Sequence, residues 1–294
     1  MSSFQQNVIN LYGNAGQAWL DALPSIVQAL AQQWQLSDIQ PVSNMSWHYV
    51  AKAVQNNKIP VVLKIGCDRG VVENEVRALQ HFDGHGAVNA LVIDTKQKAL
   101  LLQQAVPGVS LKSLYPANVH EVVDAYSAVV KELTSVAAPA AGNFPRVRDW
   151  LKAFDRVDAT RIPQTLFQKA NTLQKQLLNT ADNEILLHGD LHHDNILKHG
   201  NQWLAIDPKG IIGELAFEAA AFDFIHLSEL ESLKIDEIQK LFCTRVSQLA
   251  EKLNIDPKRL SQWVFVRLIL MALWFIEDGG DPQLPIRLAK LLFV

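Results

Sequence analysis

Three oxygen-bearing side chains, Asp190, Asn195 and Asp207, fall within the stretch ILLHGDLHHDNILKHGNQWLAIDPK at residues 185–209. Their order and spacing suit the transfer of a phosphoryl group. In that chemistry one carboxylate takes the proton of the attacking hydroxyl, an amide five residues later binds metal, and a carboxylate beyond the next strand binds Mg²⁺. Magnesium prefers hard oxygen ligands and needs few from the protein when nucleotide phosphates supply the rest, so one amide and one carboxylate suffice. His188, His192 and His193 lie in the same stretch and raise the rival chemistry of an imidazole-bound zinc. No fourth ligand follows at a convincing spacing, and Cys67 and Cys243 stand far off in sequence. The plainer expectation is that His188 and His192 satisfy loop backbone groups and His193 is solvated.

The elements that must position this set can be read around it. Ile185, Leu186 and Leu187 form a short apolar run that delivers Asp190 into a loop. Ile196 and Leu197, the turn His199-Gly200-Asn201 and the run Trp203 to Ile206 form a hairpin that brings Asn195 and Asp207 together. Upstream, strand signals at Ile39 to Val42, Trp47 to Val54 and Ile59 to Ile65, then at Leu91 to Asp94 and Ala99 to Gln104, predict a small antiparallel lobe. The first connection carries Ser43 and Ser46, whose hydroxyls and backbone amides can cover phosphates, although an ordinary hairpin turn fits equally. Lys64 ends the run Val61-Val62-Leu63 and is a candidate to pair with phosphate oxygens. On the next helix Val72, Val76 and Leu79 mark the buried face, and Glu75 shares it. A carboxylate there needs a cation, for which Lys64 is the natural partner, with Glu73 as the alternative acid. Gln104 to Val106, before Pro107-Gly108, read as a hinge whose backbone can meet an adenine edge, or as a simple strand exit.

Beyond residue 107 the period turns helical. Asn118 with Glu121 predicts a capping box opening a helix to about Val136, followed by helices over 146–158, 163–179, 216–230, 235–253, 257–276 and 285–292. Residues 5–34 read as two packing helices, the second starting at Pro24. The expected fold class is therefore α+β, with a nucleotide-binding lobe at residues 1–106 and a helical catalytic and acceptor-binding lobe at 107–294.

Composition narrows the function. The net charge of −3 argues against a general nucleic-acid surface. Residues 1–106 carry seven Lys/Arg against seven Asp/Glu, and residues 107–294 twenty against twenty-three, so the acidic excess is C-terminal and would suit a cationic substrate. Two isolated cysteines fit a reducing cytoplasm. The N-terminal residues show no secretory pattern, and the longest apolar run, Trp263 to Ile276, is interrupted by Arg267, so no membrane span is expected. The sequence does not specify an oligomeric state.

HGDLHHDNIL followed by WLAIDPKG resembles the aminoglycoside phosphotransferase superfamily, and Asp-Pro-Lys-Gly in place of the more usual Asp-Trp is similar to its streptomycin 6-kinase and hydroxyurea phosphotransferase branch. Leu11-Tyr12-Gly13 with Ala18-Trp19-Leu20, Val61 to Lys64, and Leu273-Trp274 leading to Glu277-Asp278-Gly279 extend the likeness over most of the chain. The resemblance implies a protein-kinase-like bilobal fold and an ATP- and Mg²⁺-dependent phosphotransferase for a small hydroxylated molecule, streptomycin or hydroxyurea, with a role in antibiotic resistance. Glu214, Glu218, Asp223, Glu277 and Asp278 are then candidate partners for a cationic acceptor, Trp274 could stack on it, and Lys209 could reach the transferred group. A kinase for an amino alcohol or sugar, a non-catalytic nucleotide-binding scaffold and a histidine-based metallohydrolase are the competing readings.

Overall fold

A computed structural model describes residues 3–293 apart from 138 and 140–143. In chain order the N-terminal elements are α1 (Ser3–Gln33), β1 (Leu36–Pro41), β2 (Tyr49–Gln55), β3 (Ile59–Ile65), α2 (Arg69–Phe82), β4 (Ala90–Asp94) and β5 (Ala99–Gln103). The five strands form one antiparallel sheet in the order β1-β2-β3-β5-β4. Alternation along β3 gives the sheet its two faces. Val61, Leu63 and Ile65 are fully buried in a core with Phe4, Val8, Trp19, Leu23 and Leu30 of α1. Val62 and Lys64 point to the opposite face, toward the interlobe cleft.

The helix α1 departs from expectation. Its break lies at Gly13 (φ 55°, ψ −132°), and Pro24 sits inside the helix rather than starting a second one. The left-handed φ at residue 13 is one that glycine adopts without steric cost.

The remaining elements are β6 (Pro107–Ser110), α3 (Val119–Thr134), α4 (Val147–Trp150), α5 (Ala153–Arg156), α6 (Gln164–Asn179), β7 (Ile185–Leu187), β8 (Ile196–His199), β9 (Gln202–Ala205), β10 (Ile211–Gly213), α7 (Leu215–Ala219), α8 (Leu227–Ser232), α9 (Ile235–Leu253), α10 (Pro257–Glu277) and α11 (Gln283–Phe293). The architecture is the α+β, protein-kinase-like bilobal one, a strand-rich lobe on a mostly helical lobe. The single predicted helices over 146–158 and 216–230 are each two short ones. In the second case Phe222 and Phe224 turn out of the helix into a ring cluster with Tyr126 and His193. Asn118 makes no side-chain cap; its own N–H donates to the Leu114 carbonyl at 2.8 Å, and α3 is held by burial of Val122, Tyr126, Val129, Val130 and Leu133. At α10 the expected cap forms, the Asp256 carboxylate accepting from the N–H groups of Lys258 and Arg259 at 3.1 and 3.2 Å, with Pro257 in the first turn. This helix has the length and composition of a membrane span, yet 61% of that window is buried inside the fold.

The hairpin β8–β9 is joined to both lobes. Val88 N–H donates to the Ala205 carbonyl at 3.0 Å and Ala205 N–H to the Gly86 carbonyl at 2.7 Å. On its other side the Gly200 N–H donates to the Val106 carbonyl at 2.8 Å, and the Val106 N–H to His199 Nδ1 at 3.2 Å. Val106, expected as a hinge contact, therefore has both backbone groups engaged with the hairpin. Gln104 and Ala105 are left as the hinge residues ahead of it.

Candidate active site

Strand β7 pairs with β10, a strand that sequence patterning did not disclose, and the two carry the loop His188–Asn195 between them and the hairpin. His188 is fully buried and locks the start of the loop. Its Nε2 lies 2.8 Å from the Ile206 carbonyl and its Nδ1 accepts the Asp190 N–H at 3.2 Å, which fixes the neutral Nε2–H tautomer. Burial, outweighing the nearby Asp190, pulls the ring down to about 4, so it stays neutral near pH 7. Gly189 has φ +88°, and a Cβ there would meet Ile211 Cγ2 and Trp150 Cη2 at 2.9 Å each; no other residue fits this turn without displacing one of them.

The three residues, the expected base Asp190 and the expected metal ligands Asn195 and Asp207, are linked through the backbone. The Asn195 side-chain amide donates to the Asp190 carbonyl at 2.8 Å, and the Ile206 N–H donates to the Asn195 carbonyl at 2.9 Å, so Asn195 is tied to residues adjoining both acids. With its Nδ2 turned toward Asp190, its Oδ1 is the atom available to a cation. Asp207, with φ +62°, takes Lys64 Nζ on Oδ1 at 2.9 Å. Lys64 also donates to Glu75 at 2.8 Å, which is 4% exposed like the lysine itself. The predicted Lys64–Glu75 pair is thus formed, and Glu73 pairs instead with Arg69 at 2.7 Å. Burial opposes charge on Lys64, but Asp207 and Glu75 together hold it protonated. Burial likewise works against an ionised Asp207, and Lys64 and Lys209 override it, so its carboxyl lies well below the usual range. An amide oxygen and a permanently ionised carboxylate make a donor set that fits magnesium.

Lys209 Nζ stands 3.5 Å from Asp190 Oδ2. Burial would raise the Asp190 pKa, yet Lys209, His192, His188 and Arg267 bring it below the ordinary value. Asp190 is therefore a carboxylate, partly open to the cleft, with a cation beside it. Asn74 of α2 donates to the carbonyls of Lys209 and Gly210, linking the strand-rich lobe to the segment after Asp207. In the loop between β1 and β2, Ser43 and Ser46 are exposed, and the Ser46 carbonyl accepts from Asn7 Nδ2 at 3.2 Å.

The acceptor candidates fare differently. Glu214 is 8% exposed and accepts from Arg259 Nε and Nη2 at 2.6 and 2.8 Å and from the Trp263 indole N–H, so it braces α7 against α10. Glu218, 1% exposed, lies beneath the catalytic loop and accepts the Gly189 N–H at 3.0 and 3.2 Å. Burial raises its carboxyl to about 7 against the opposing pull of that N–H and of Arg267. Both carboxylates are thus engaged by groups of the fold itself. Glu277 is exposed and held bidentately by Arg156 at 2.7 Å for both bonds. Asp278 lies exposed at the C-terminal end of α10. Trp274 meets Trp150 edge to face at 5.4 Å, and Trp150 in turn abuts Gly189, the residue before Asp190.

The three histidines diverge, against the zinc alternative. His192 lies partly exposed and accepts the Asp194 N–H at 3.3 Å, whereas His193, expected in solvent, is wholly buried. The His193 ring packs among Tyr115, Tyr126 and Phe222, with Asp223 Oδ2 3.5 Å from its Nδ1. Among the described residues no group of three or more His, Cys, Asp or Glu is arranged to hold a metal through those residue types alone.

Trp150 and Arg267 escaped sequence reasoning. Trp150 carries no periodic signal. Arg267 had one: it interrupts the apolar run of α10, and a charge there needs partners. It finds them in the Gly189 carbonyl at 3.1 Å and the Phe217 ring, whose centre is 4.5 Å from its guanidinium carbon.

Comparison with known proteins agrees with this geometry. The family model described as "Aminoglycoside/hydroxyurea antibiotic resistance kinase" matches residues 33–279. The chain is 26% identical over 282 residues to a streptomycin 6-kinase of Streptomyces glaucescens, covering 92% of this chain and 88% of that protein. It is 25% identical over 296 residues to a hydroxyurea phosphotransferase of Kitasatospora aureofaciens, covering 95% and 82%. Among solved structures, the aminoglycoside phosphotransferase APH(4)-Ia superposes with a TM-score of 0.67 at 15% identity over 91% of this chain and 97% of that one. The choline kinase LicA of Streptococcus pneumoniae gives 0.65 at 13% identity, over 91% and 97%. The match across residues 33–279 shows that the chain belongs to the aminoglycoside/hydroxyurea antibiotic resistance kinases, enzymes that transfer a phosphoryl group to a small molecule.

Proposed function

We propose that the protein catalyses ATP- and Mg²⁺-dependent O-phosphorylation of a small hydroxylated antibiotic, with streptomycin as the first acceptor to test and hydroxyurea the second. The observation that carries this is the pair of polar chains Glu75–Lys64–Asp207 and Lys209–Asp190, with Asn195 bonded to Asp190's own backbone. In this reading Lys64, fixed by Glu75, pairs with α- and β-phosphate oxygens, and Asn195 Oδ1 and Asp207 hold the metal. Ser43 and Ser46 border the phosphates, and Gln104 and Ala105 present the hinge. Bound there, magnesium would supply neutralisation of the phosphate charge. Asp190 orients the acceptor hydroxyl and takes its proton, and Lys209 stands at the side of the moving group.

A second reading is an amino-alcohol kinase. The paired rings of Trp150 and Trp274 favour it, because an aromatic pair that abuts the residue before Asp190 suits an organic cation. Phosphate transfer from Mg-ATP to streptomycin, hydroxyurea and a panel of amino alcohols and sugars separates the two, with Asp190→Asn as control. Transfer to streptomycin that disappears in the control is the expected result. Turnover of an amino alcohol in preference to both antibiotics would move the assignment to the second reading.

A further inference from the structure

His48 belongs to no part of the site described so far, yet it stands inside the cleft. It immediately precedes β2, whose Tyr49 pairs with Ile65 of β3, so His48 falls opposite Gly66. Residues 48 and 50 on one strand and 64 and 66 on the other share a face, which puts His48 one step along from Lys64 on the cleft side. The absence of a side chain at Gly66 makes room for the ring: a Cβ there would come within 3.2 Å of His48 Nδ1 and 2.4 Å of Val72 Cγ2. That Nδ1 is sealed from solvent and has no hydrogen-bond partner among the described residues. A buried polar atom without a partner in a cleft signals a group that a ligand completes. The charges acting on the ring are Lys64, Asp207, Lys209 and Asp68, and burial with the two lysines holds it at about 3, hence neutral near pH 7.

We propose that His48 is a phosphate-binding residue of this cleft, its imidazole Nδ1–H donating to a non-bridging oxygen of the β- or γ-phosphate of the bound nucleotide. The inference rests on the phosphotransferase reading and adds to it a residue that neither the glycine-free loop nor the strand lysine supplies. Three features favour a polyphosphate over other ligands. The cations that act on the ring, Lys64 and Lys209, are the ones that the phosphotransferase reading turns toward the phosphates. The preceding loop carries the exposed hydroxyls of Ser43 and Ser46, and the Ser46 carbonyl accepts from Asn7 of α1. A neutral imidazole adds a donor beside two cations without adding a third charge to their repulsion.

Isothermal titration of the full-length protein with AMP-PNP, ADP and AMP in excess magnesium tests this, using wild type, His48→Ala and His48→Asn. Asparagine places an amide nitrogen near the position of Nδ1. His48→Ala should bind AMP-PNP and ADP about tenfold more weakly or worse, the loss of one hydrogen bond to a charged oxygen, and AMP as well as wild type does. His48→Asn should recover most of the loss, and the melting temperature without nucleotide should not fall in either variant. Wild-type affinity for AMP-PNP in His48→Ala would overturn the proposal, as would an equal loss for AMP, which would mean that the loop had merely rearranged. Failure of the wild type to bind any of the three nucleotides would sink the phosphotransferase reading itself, a result distinct from either of these.

Discussion

On the nucleotide side of the cleft Lys64, Asp207, Lys209 and Asp190 pair with one another along the cleft wall, whereas on the acceptor side Glu214, Glu218 and Glu277 are consumed by scaffold arginines and a backbone amide. The first set is charge held ready for a ligand. The second is charge spent on architecture. The contrast teaches that Glu214, Glu218 and Glu277, acids the sequence readily offers to a cation, are already paired within the fold. Asp223 and Asp278 have no guanidinium partner among the described residues, and the rings of Trp150 and Trp274 meet edge to face. Asp223 has one buried oxygen unpartnered beside His193.

The largest effect expected on the ligand-facing set is from Asp190→Asn. Removing a general base lowers turnover by roughly 10²–10⁴-fold, and Mg-nucleotide binding should persist, as steady-state kinetics and titration on one preparation can verify. Near-wild-type turnover in that variant would remove Asp190 from the chemistry.

Glu214→Ala addresses the scaffold set. Stranding the Arg259 guanidinium and the Trp263 indole should destabilise the fold by about 3–5 kcal/mol, because one partner of a buried pair is lost. Denaturant unfolding measures this. A stable variant with a raised acceptor KM would return Glu214 to the acceptor site.

Glu218 gives the scaffold a pH signature. Its carboxyl sits at about 7 in the fold against 4.5 ordinarily, so the folded state binds the proton more tightly. The resulting stability is fully present below pH 4.5 and is lost as pH rises through 7. About 3 kcal/mol is at stake over that window. Glu218→Gln, which cannot ionise, should show a flatter stability profile from pH 4.5 to 7.5 in chemical unfolding; a slope identical to wild type would mean that another group titrates. The smallest effect belongs to Glu277→Ala. An exposed ion pair contributes under about 1 kcal/mol, so melting temperature and acceptor KM should both stay near wild type. A several-fold rise in KM would show that Glu277 leaves Arg156 for the acceptor.

Legibility in the sequence followed the range of the interactions. Asp190, Asn195 and Asp207 could be read because a single hairpin fixes their spacing, and Glu75 because it shares a helix face with Val72 and Leu79. The partners of Glu214 and Glu218 could not, since Arg259 lies 45 residues from Glu214, and Arg267, which works with Glu218 beneath Gly189, is 78 residues from that glycine. Short-range pattern is silent about such pairings. His193 failed for a related reason: a polar residue in a polar loop reads as exposed, and only the arrival of Tyr115, Tyr126 and Phe222 from elsewhere encloses it. Strand β10 was missed because three residues are too few to show alternation.

The attachment of Val106 to the His199–Gly200 turn, and of Ala205 to residues 86–88, has a mechanical consequence. A hinge normally lets two bodies swing while the parts on either side stay unaware of one another. Here the hinge end, the strand-rich lobe's inner edge and the hairpin bearing Asn195 and Asp207 are one stitched piece. Strand β3 adds a further stitch, since it pairs along its whole length with β2 while its Lys64 holds Asp207, so the strand-rich sheet and the hairpin's end are braced as one unit.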